Sequence, residues 1–313
     1  MQYTNGSYQI SLDFETGTKI RTLAEEADPR PMQPETFDLK VTDFCNAGCS
    51  WCHEESTVRG QHGALEPLLE ALSPLRPGFE VAIGGGDPMR WPALDSFLLW
   101  VADKGGVANI TVNGLHIQKA APRLRAFQER KLICGIGVSA IRRGDLFSSA
   151  FNLAPDLYGL RRVVGHVILG GADKHNLLYS LGQNNLHKPP PLLDSYLLLG
   201  AKHFGRGAKA FKAAEDPRWT FTIPQEVNLL LRFSRRKGFS LSFDNLALEQ
   251  GLVQRQVTEE VWEQHYMGED GQFSMYVDAV RQQWARTSTA PHASRVSWKD
   301  QSIVDFFNAQ RKE

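Results

Sequence analysis

The sequence predicts an α/β fold: a partial (β/α)6-type barrel, with an N-terminal hairpin before it and a C-terminal extension after it. Three observations lead there. From Phe37 onward, short strand-like runs alternate with helix-like ones, and strand followed by helix, repeated, builds a parallel sheet. About six or seven such units are present, which suits an open barrel better than a closed one of about eight. The chain's densest chemical motif, Cys45-Asn46-Ala47-Gly48-Cys49-Ser50-Trp51-Cys52, opens at the end of the first of those strands, where barrel-type α/β enzymes keep their active sites.

The elements follow in order. Tyr8-Gln9-Ile10-Ser11-Leu12-Asp13-Phe14 alternates apolar and polar side chains, as a half-buried strand does. Thr16-Gly17 then turns, and 18–21 pairs back as a hairpin. Three prolines between 28 and 34 read as an extended linker, so 1–36 form the N-terminal hairpin and linker. Residues 37–245 form the core. Its candidate strands are 37–44, 79–84, 108–113, 133–140, 162–169, 194–199 and 239–243. Helical stretches fall between them near 65–73, 92–104, 118–130, 145–160, 174–183 and 224–237, and Pro189-Pro190-Pro191 stiffens the approach to the sixth strand. Beyond Asp244 the pattern weakens into the C-terminal extension, 246–313. There 274–278 reads as a strand, 277–285 alternatively as a helix, and 298–310 as a terminal amphipathic helix.

Composition narrows the function. Lysine plus arginine equals aspartate plus glutamate, 35 each, so the net charge is zero, which argues against generic binding to nucleic-acid backbone. The polar N-terminus lacks the apolar stretch of a signal peptide, and no run of about 18 apolar residues exists to span a membrane. Four cysteines with three clustered do not make a disulfide framework, and the cytoplasm is the expected location. Cys134 stands alone in an apolar run and reads as a core residue.

The clustered cysteines have three residues and then two between them. Three thiolates on one short loop suit three irons of a cubane cluster and leave the fourth iron open to a small chelating molecule. The alternative is a zinc site on Cys45, Cys49, Cys52 and His53, in which adjacent Cys52 and His53 would have to reach one tetrahedral ion together. Gly85-Gly86-Asp87 follows the second strand. It reads either as a plain glycine turn or as a site where a ligand approaches the backbone and a carboxylate holds an ammonium group. Asn113-Gly114 ends the third strand as a turn or as a polar contact. Ser139 and the pair Arg142, Arg143 end the fourth as ligand contacts or surface residues. His166 and Ile168 share a face of the fifth, and His166 reads as a core histidine or a group facing a substrate cavity. Lys202, Asp244 and Asn245 lie at the rim, as solvated residues or substrate contacts. Glycine-flanked Arg206 is a candidate contact for a phosphate or carboxylate, and Glu54 and Glu55 read as substrate contacts, solvated loop residues or helix-start groups.

The three-cysteine spacing, with the aromatic Trp51 before the last cysteine, resembles the radical S-adenosylmethionine (SAM) enzymes over 37–245. The resemblance implies a [4Fe–4S] cluster on Cys45, Cys49 and Cys52, with SAM chelating the free iron. One electron then cleaves SAM, and the 5′-deoxyadenosyl radical abstracts a hydrogen from a substrate. It implies that Gly85-Gly86-Asp87 stands where the family carries Gly-Gly-Glu for the SAM amino group. It also implies SAM contacts at Asn113, Ser139 and Arg142, an adenine contact at Ile168, and a reducing partner such as a flavodoxin or ferredoxin. No further cysteine group exists for an auxiliary cluster. The substrate is left open between a peptide, a nucleobase or nucleotide, and a small metabolite. The reading from a different class is a non-catalytic zinc- or iron–sulfur-binding module.

Overall fold

The structure, a computed structural model, describes residues 1–13, 18–24, 29–139, 159–170, 193, 195–211 and 217–310. The expected turn at Thr16-Gly17, the helices near 145–160 and 174–183, the proline run and Arg142 with Arg143 lie largely or wholly outside those residues.

β1 (Gln2–Asn5), β2 (Tyr8–Leu12) and β3 (Lys19–Leu23) make an antiparallel three-stranded sheet. The expected hairpin is β2–β3, and β1 is an addition from a stretch too polar to read as a strand. Tyr8, Ile10 and Leu12 are buried while Gln9 and Ser11 are exposed, the period of two that the sequence displays. The proline-rich segment is pinned in place. Asn5 Nδ2 donates to the Gln33 carbonyl (2.9 Å), and Asn5 Oδ1 accepts from the Met32 and Gln33 amides. Arg21 makes a two-pronged contact with Glu35 (3.0 and 2.8 Å), and Lys19 pairs with Glu80 (3.2 Å). Glu35 precedes the first barrel strand and Glu80 begins the second. The small sheet therefore sits against the N-terminal ends of the barrel strands and leaves their C-terminal ends clear.

The main sheet runs β4 (Thr36–Lys40), β5 (Glu80–Gly84), β6 (Val107–Asn113), β7 (Ile136–Ser139), β8 (Val163–Ile168), β9 (Ser195–Leu199) and β10 (Ser240–Phe243), each parallel to the next. Outside it lie α1 (Leu65–Leu72), α2 (Leu94–Asp103) and α3 (Ile117–Glu129). Their Leu68, Phe97 and Leu124 bury against Leu39, Ile83 and Val112. A short turn of helix, α4 (Gly207–Ala210), precedes α5 (Pro217–Lys237), which sets Val227 and Leu230 against Val167 and Leu198. The opposite face of the strands carries Asp38, Asn109, Thr111, Ser139, His166 and Ser242, none of them fully buried. The sheet curls around this polar face. Asp38 on β4 feels the charges of Lys202 beyond β9, Asp244 beyond β10, and Asp270. Its side chain reaches lumen water yet is enclosed by protein, and that enclosure raises its pKa.

After α6 (Asn245–Gln250) and α7 (Glu259–His265) the chain returns to the sheet. β11 (Ser274–Asp278) pairs in parallel with β4, from Ser274 opposite Thr36 to Asp278 opposite Lys40, and β12 (Gln283–Ala285) and β13 (Val296–Ser297) add antiparallel strands. Of the two readings of this stretch, the strand at 274–278 is present, and the alternative helix over 277–285 is not formed. α8 (Ile303–Ala309) is shorter than the expected 298–310 helix and buries Ile303, Phe306 and Phe307. Trp298 instead packs on Trp284 at 5.1 Å between ring centroids. No helix among the described residues is long and apolar enough to cross a membrane.

Trp284 is fully buried in the same core as β4, and its Nε1 donates to the Gln301 carbonyl (2.8 Å). Trp284→Ala is expected to cost about 3–5 kcal/mol of stability, the range for large-to-small core changes. Denaturant unfolding checks it. A loss within error of zero would mean that 274–310 pack independently of the barrel.

Candidate active site

The strand expected over 37–44 stops at Lys40, and 41–64 form a loop at its C-terminal end. Single bridges brace the loop, Thr42 to His62 and Phe44 to Thr57. Thr42 is a residue the sequence reading missed. Its Oγ1 accepts from the Phe44 amide (2.9 Å) and meets His62 Nδ1 (2.8 Å), turning the chain sharply before Cys45. Cys45, Cys49 and Cys52 are half-buried, and no disulfide joins them. The Cys45 amide donates to the Thr57 carbonyl (2.9 Å), and Cys45 Sγ accepts from the Ala47 amide (3.4 Å). Burial raises the Cys45 thiol pKa, the Ala47 bond opposes it, and Asp87 and Cys52 add to the rise.

Gly85-Gly86-Asp87 packs directly on the stem of this loop. The Gly86 amide donates to the Thr42 carbonyl and the Asp87 amide to the Phe44 carbonyl, both at 2.7 Å. Gly85 has a left-handed φ of +107°, and a Cβ there would fall 2.6 Å from the Thr42 oxygen. A Cβ on Gly86 would collide with the Phe44 carbonyl. Asp87 is 3% exposed. Its Oδ1 accepts from the Met89 amide (3.2 Å), capping a 3-10 turn over Pro88–Arg90, and its Oδ2 lies 3.1 Å from His116 Nδ1 and 3.9 Å from Arg90 Nε. The carboxylate is thus held between two groups able to carry positive charge, at the base of the cysteine loop.

On the other side of the loop stands Arg206, following β9. Its amide donates to the Cys52 carbonyl (3.1 Å), its Nε to the Cys49 carbonyl (2.9 Å) and its Nη2 to the Ser56 carbonyl (2.9 Å). The expected anion contact gives way to a clamp on two cysteine carbonyls. Sequence could not reveal this, because an arginine used for carbonyls carries no motif. The flanking glycines have a reason: a Cβ at Gly207 would collide with the Lys202 carbonyl, and Gly205 lies against His53 with φ +57°.

The remaining candidates divide. Asn113 Oδ1 accepts from the Leu115 amide (2.9 Å), which is the turn reading. Ser139 and Ile168 are half-buried at the C-terminal ends of β7 and β8 on the lumen side. His166 lies over Gly137 on that side, and burial lowers its pKa to about 4, so the ring is neutral at pH 7. Trp51 is half-buried, with its carbonyl beside Gly207. The expected solvated rim residues are bonded instead. Lys202 Nζ donates to Ser288 Oγ (2.7 Å) and lies 3.4 Å from His53 Nε2. Asp244 caps α6 and accepts from the Gly200 amide (2.9 Å), and Asn245 reaches Asp270 (2.9 Å). Cys134 is half-buried rather than a core residue. It lies by its amide's bond to Ala108 at the N-terminal ends of the strands, with Arg162 donating to its sulfur. It is therefore at the opposite end of the barrel from the other three.

Among the described residues, no three Cys, His, Asp or Glu side chains converge closely enough to hold one metal ion. His53, the fourth zinc ligand of the alternative reading, faces Glu54 (3.3 Å), Lys202 and Phe204 instead. A tetrahedral ion needs all its donors within about 2.0–2.3 Å. A cubane spreads three thiolates over three irons, which suits three half-buried thiols on one loop.

No protein-family model matches the sequence. No curated protein sequence is significantly similar to it. Solved structures do share its fold. SuiB of Streptococcus suis with S-adenosylmethionine bound superposes with a TM-score of 0.62 at 11% identity, over 89% of this chain and 66% of that one. SuiB bound to the precursor peptide SuiA gives 0.59 at 12%, over 89% and 65%. The anSMEcpe structure with bound AdoMet and the Cp18Cys peptide gives 0.57 at 10%, over 87% and 79%. The chain thus spans about two thirds of the SuiB length. The partial barrel expected from the sequence is the architecture these structures share with this chain.

Gly86→Ala is expected to push the turn after β5 off the cysteine loop, costing about 1–3 kcal/mol as overpacked sites do. Gly84→Ala meets no atom within 4 Å and is the matched control. Equal melting temperatures for the two variants would show that the close approach at Gly86 is dispensable.

Proposed function

We propose that this chain is a radical SAM enzyme acting on a peptide, with one [4Fe–4S] cluster on Cys45, Cys49 and Cys52. The observation that carries it is the seating of the three-thiol loop at the C-terminal mouth of a polar lumen, backbone to backbone with Gly85-Gly86-Asp87. When bound, the cluster and SAM supply a one-electron cleavage that begins hydrogen abstraction. The chain's own residues orient and shield. Arg206 fixes the carbonyls of Cys49 and Cys52, so the thiols keep their spacing. Asp87 offers a carboxylate to the SAM ammonium at the loop's base. Ser139 and Ile168, on the lumen side at the ends of β7 and β8, are assigned to the ribose and adenine. Asn113 contributes through its turn, and Trp51 flanks the last thiol. Peptide is the favoured substrate class because two of the similar structures hold peptides and because Asp38, Ser240 and Ser242 offer exposed polar groups along the lumen. A flavodoxin or ferredoxin would supply the electron, and the reducing cytoplasm suits four cysteines that form no disulfide.

Anaerobic reconstitution tests the assignment. Four irons and four sulfides per chain, with SAM-dependent formation of 5′-deoxyadenosine, are expected; one zinc per chain would support the non-catalytic module instead. Alanine at any one of Cys45, Cys49 or Cys52 should abolish the cluster, while Cys134→Ala at the far end of the barrel should keep it. Unchanged iron in the first three variants would refute the ligand set. Calorimetric binding of short peptides against nucleosides tests the substrate class, and a chain that binds only nucleosides ends the peptide proposal.

Asp87→Asn retains an oxygen to cap the Pro88–Arg90 turn while removing the charge. Loss of a charge-assisted bond worth about 1.5–3 kcal/mol should weaken SAM binding roughly tenfold to hundredfold, with iron content unchanged. SAM titration decides, and parental affinity would leave Asp87 as a turn cap only.

A further inference from the structure

The side chain that ends β4, Lys40, is 1% exposed, yet it carries an ammonium group. A buried ammonium persists only where carboxylates surround it. Three do. Nζ lies 2.7 Å from Asp43 Oδ1, 2.8 Å from Glu54 Oε2 and 3.3 Å from Asp278 Oδ2. Asp43 stands two residues before Cys45 and Glu54 two residues after Cys52. One ammonium therefore holds both ends of the cysteine segment together.

The third carboxylate belongs to the C-terminal strand β11, directly opposite Lys40 in the ladder. Asp278 is fully buried and is held from its own side by Arg295 (3.3 Å) and Arg281 (3.4 Å). Its Oδ1 accepts the Val280 and Arg281 amides. From the same strand Tyr276 donates its hydroxyl to Glu54 Oε1 (2.8 Å), while Arg295 lies over the Tyr276 ring. Every group in the network has an opposite charge or a donor within reach.

From this geometry we infer that Lys40 is a positioning residue for the cluster: it sets the separation of the two loop stems and, through Asp278, makes β11 part of the cluster's support. Outer partners of metal ligands typically govern affinity by about 10–100-fold. A fixed cation beside the loop also stabilises the more negative, reduced state of a bound cluster. Lys40 has this role only if the cluster binds as proposed above, and the experiment separates the two.

The full chain is reconstituted anaerobically as parent, Lys40→Met and Asp278→Asn. Iron retention against a chelator and the midpoint potential of the cluster are measured, with the melting temperature of the cluster-free protein alongside. Lys40→Met leaves Glu54 and Asp278 facing an apolar side chain. It is expected to release iron at least about tenfold faster than the parent. Its potential should move to more negative values. Asp278→Asn keeps an oxygen for the two amides and loses only the charge on one arm, so a smaller acceleration in the same sense is expected. If Lys40→Met does not fold, Asp278→Asn decides alone. Parental iron retention and potential in the folded variants, even with a lowered melting temperature, would make Lys40 a stability element only and overturn the inference. A parent that takes up no four-iron cluster would sink the cluster assignment instead.

Discussion

Two hydrogen bonds of 2.7 Å, from the Gly86 and Asp87 amides to the Thr42 and Phe44 carbonyls, join the turn after β5 to the stem of the cysteine loop. They require two backbones to approach with no side chain between them, and only glycine permits that at 85 and 86. Much of the site hangs on this contact. It seats Cys45 at the C-terminal end of β4 and brings the Asp87 carboxylate to the same place. A loop over 41–64, with only isolated bridges, would otherwise have little to fix it. Arg206 holds it from the β9 side by its carbonyls, and Lys40 holds it from below by its charges. Backbone pairing, a guanidinium on carbonyls and a buried ammonium are independent devices that act on the same few residues.

The sheet separates two environments. Its outer face is apolar and packed on helices, with Phe37, Leu39, Val81 and Ile83 excluded from water. Its inner face mixes half-buried Val164, Ile168, Leu197 and Leu199 with acids, amides, hydroxyls and a histidine. A core could not accept those groups unpaired at a cost of about 1–3 kcal/mol each. They are tolerated because none of them is fully excluded from solvent. Burial still acts on them. Asp38 is pushed up and His166 down, each toward its neutral form.

The barrel was legible because each unit announces itself locally. Strands such as Val107–Asn113 alternate in burial, and helices such as Ile117–Glu129 end within a residue of the periodic run. The thiol loop and the glycine turn were legible because their spacing is short and unusual. What stayed hidden was non-local. By pattern the stretch could hold a strand at 274–278 or a helix over 277–285. The choice was made by β4, whose free edge offers Thr36–Lys40 as a partner. Lys40 reads as the polar position of an alternating strand, and nothing near it in sequence says that three carboxylates will meet there. Lys202 and Asn245 read as solvated, and Arg206 as an anion contact, for the same reason: their partners lie far along the chain. The turn at Asn113 needs only Leu115, two residues on, so it was visible in the sequence as one of two open readings.

The pairing of β11 with β4 also sets an order of events. The first strand of the barrel has a neighbour 238 residues away, as the Lys40–Asp278 contact measures it. Closing so long a loop is slow, and during synthesis that edge of β4 waits until Asp278 has emerged. Until it does, the edge is a template for any passing strand. A chain stalled before Ser274 would present its three loop thiols without the strand whose Tyr276 and Asp278 brace that loop.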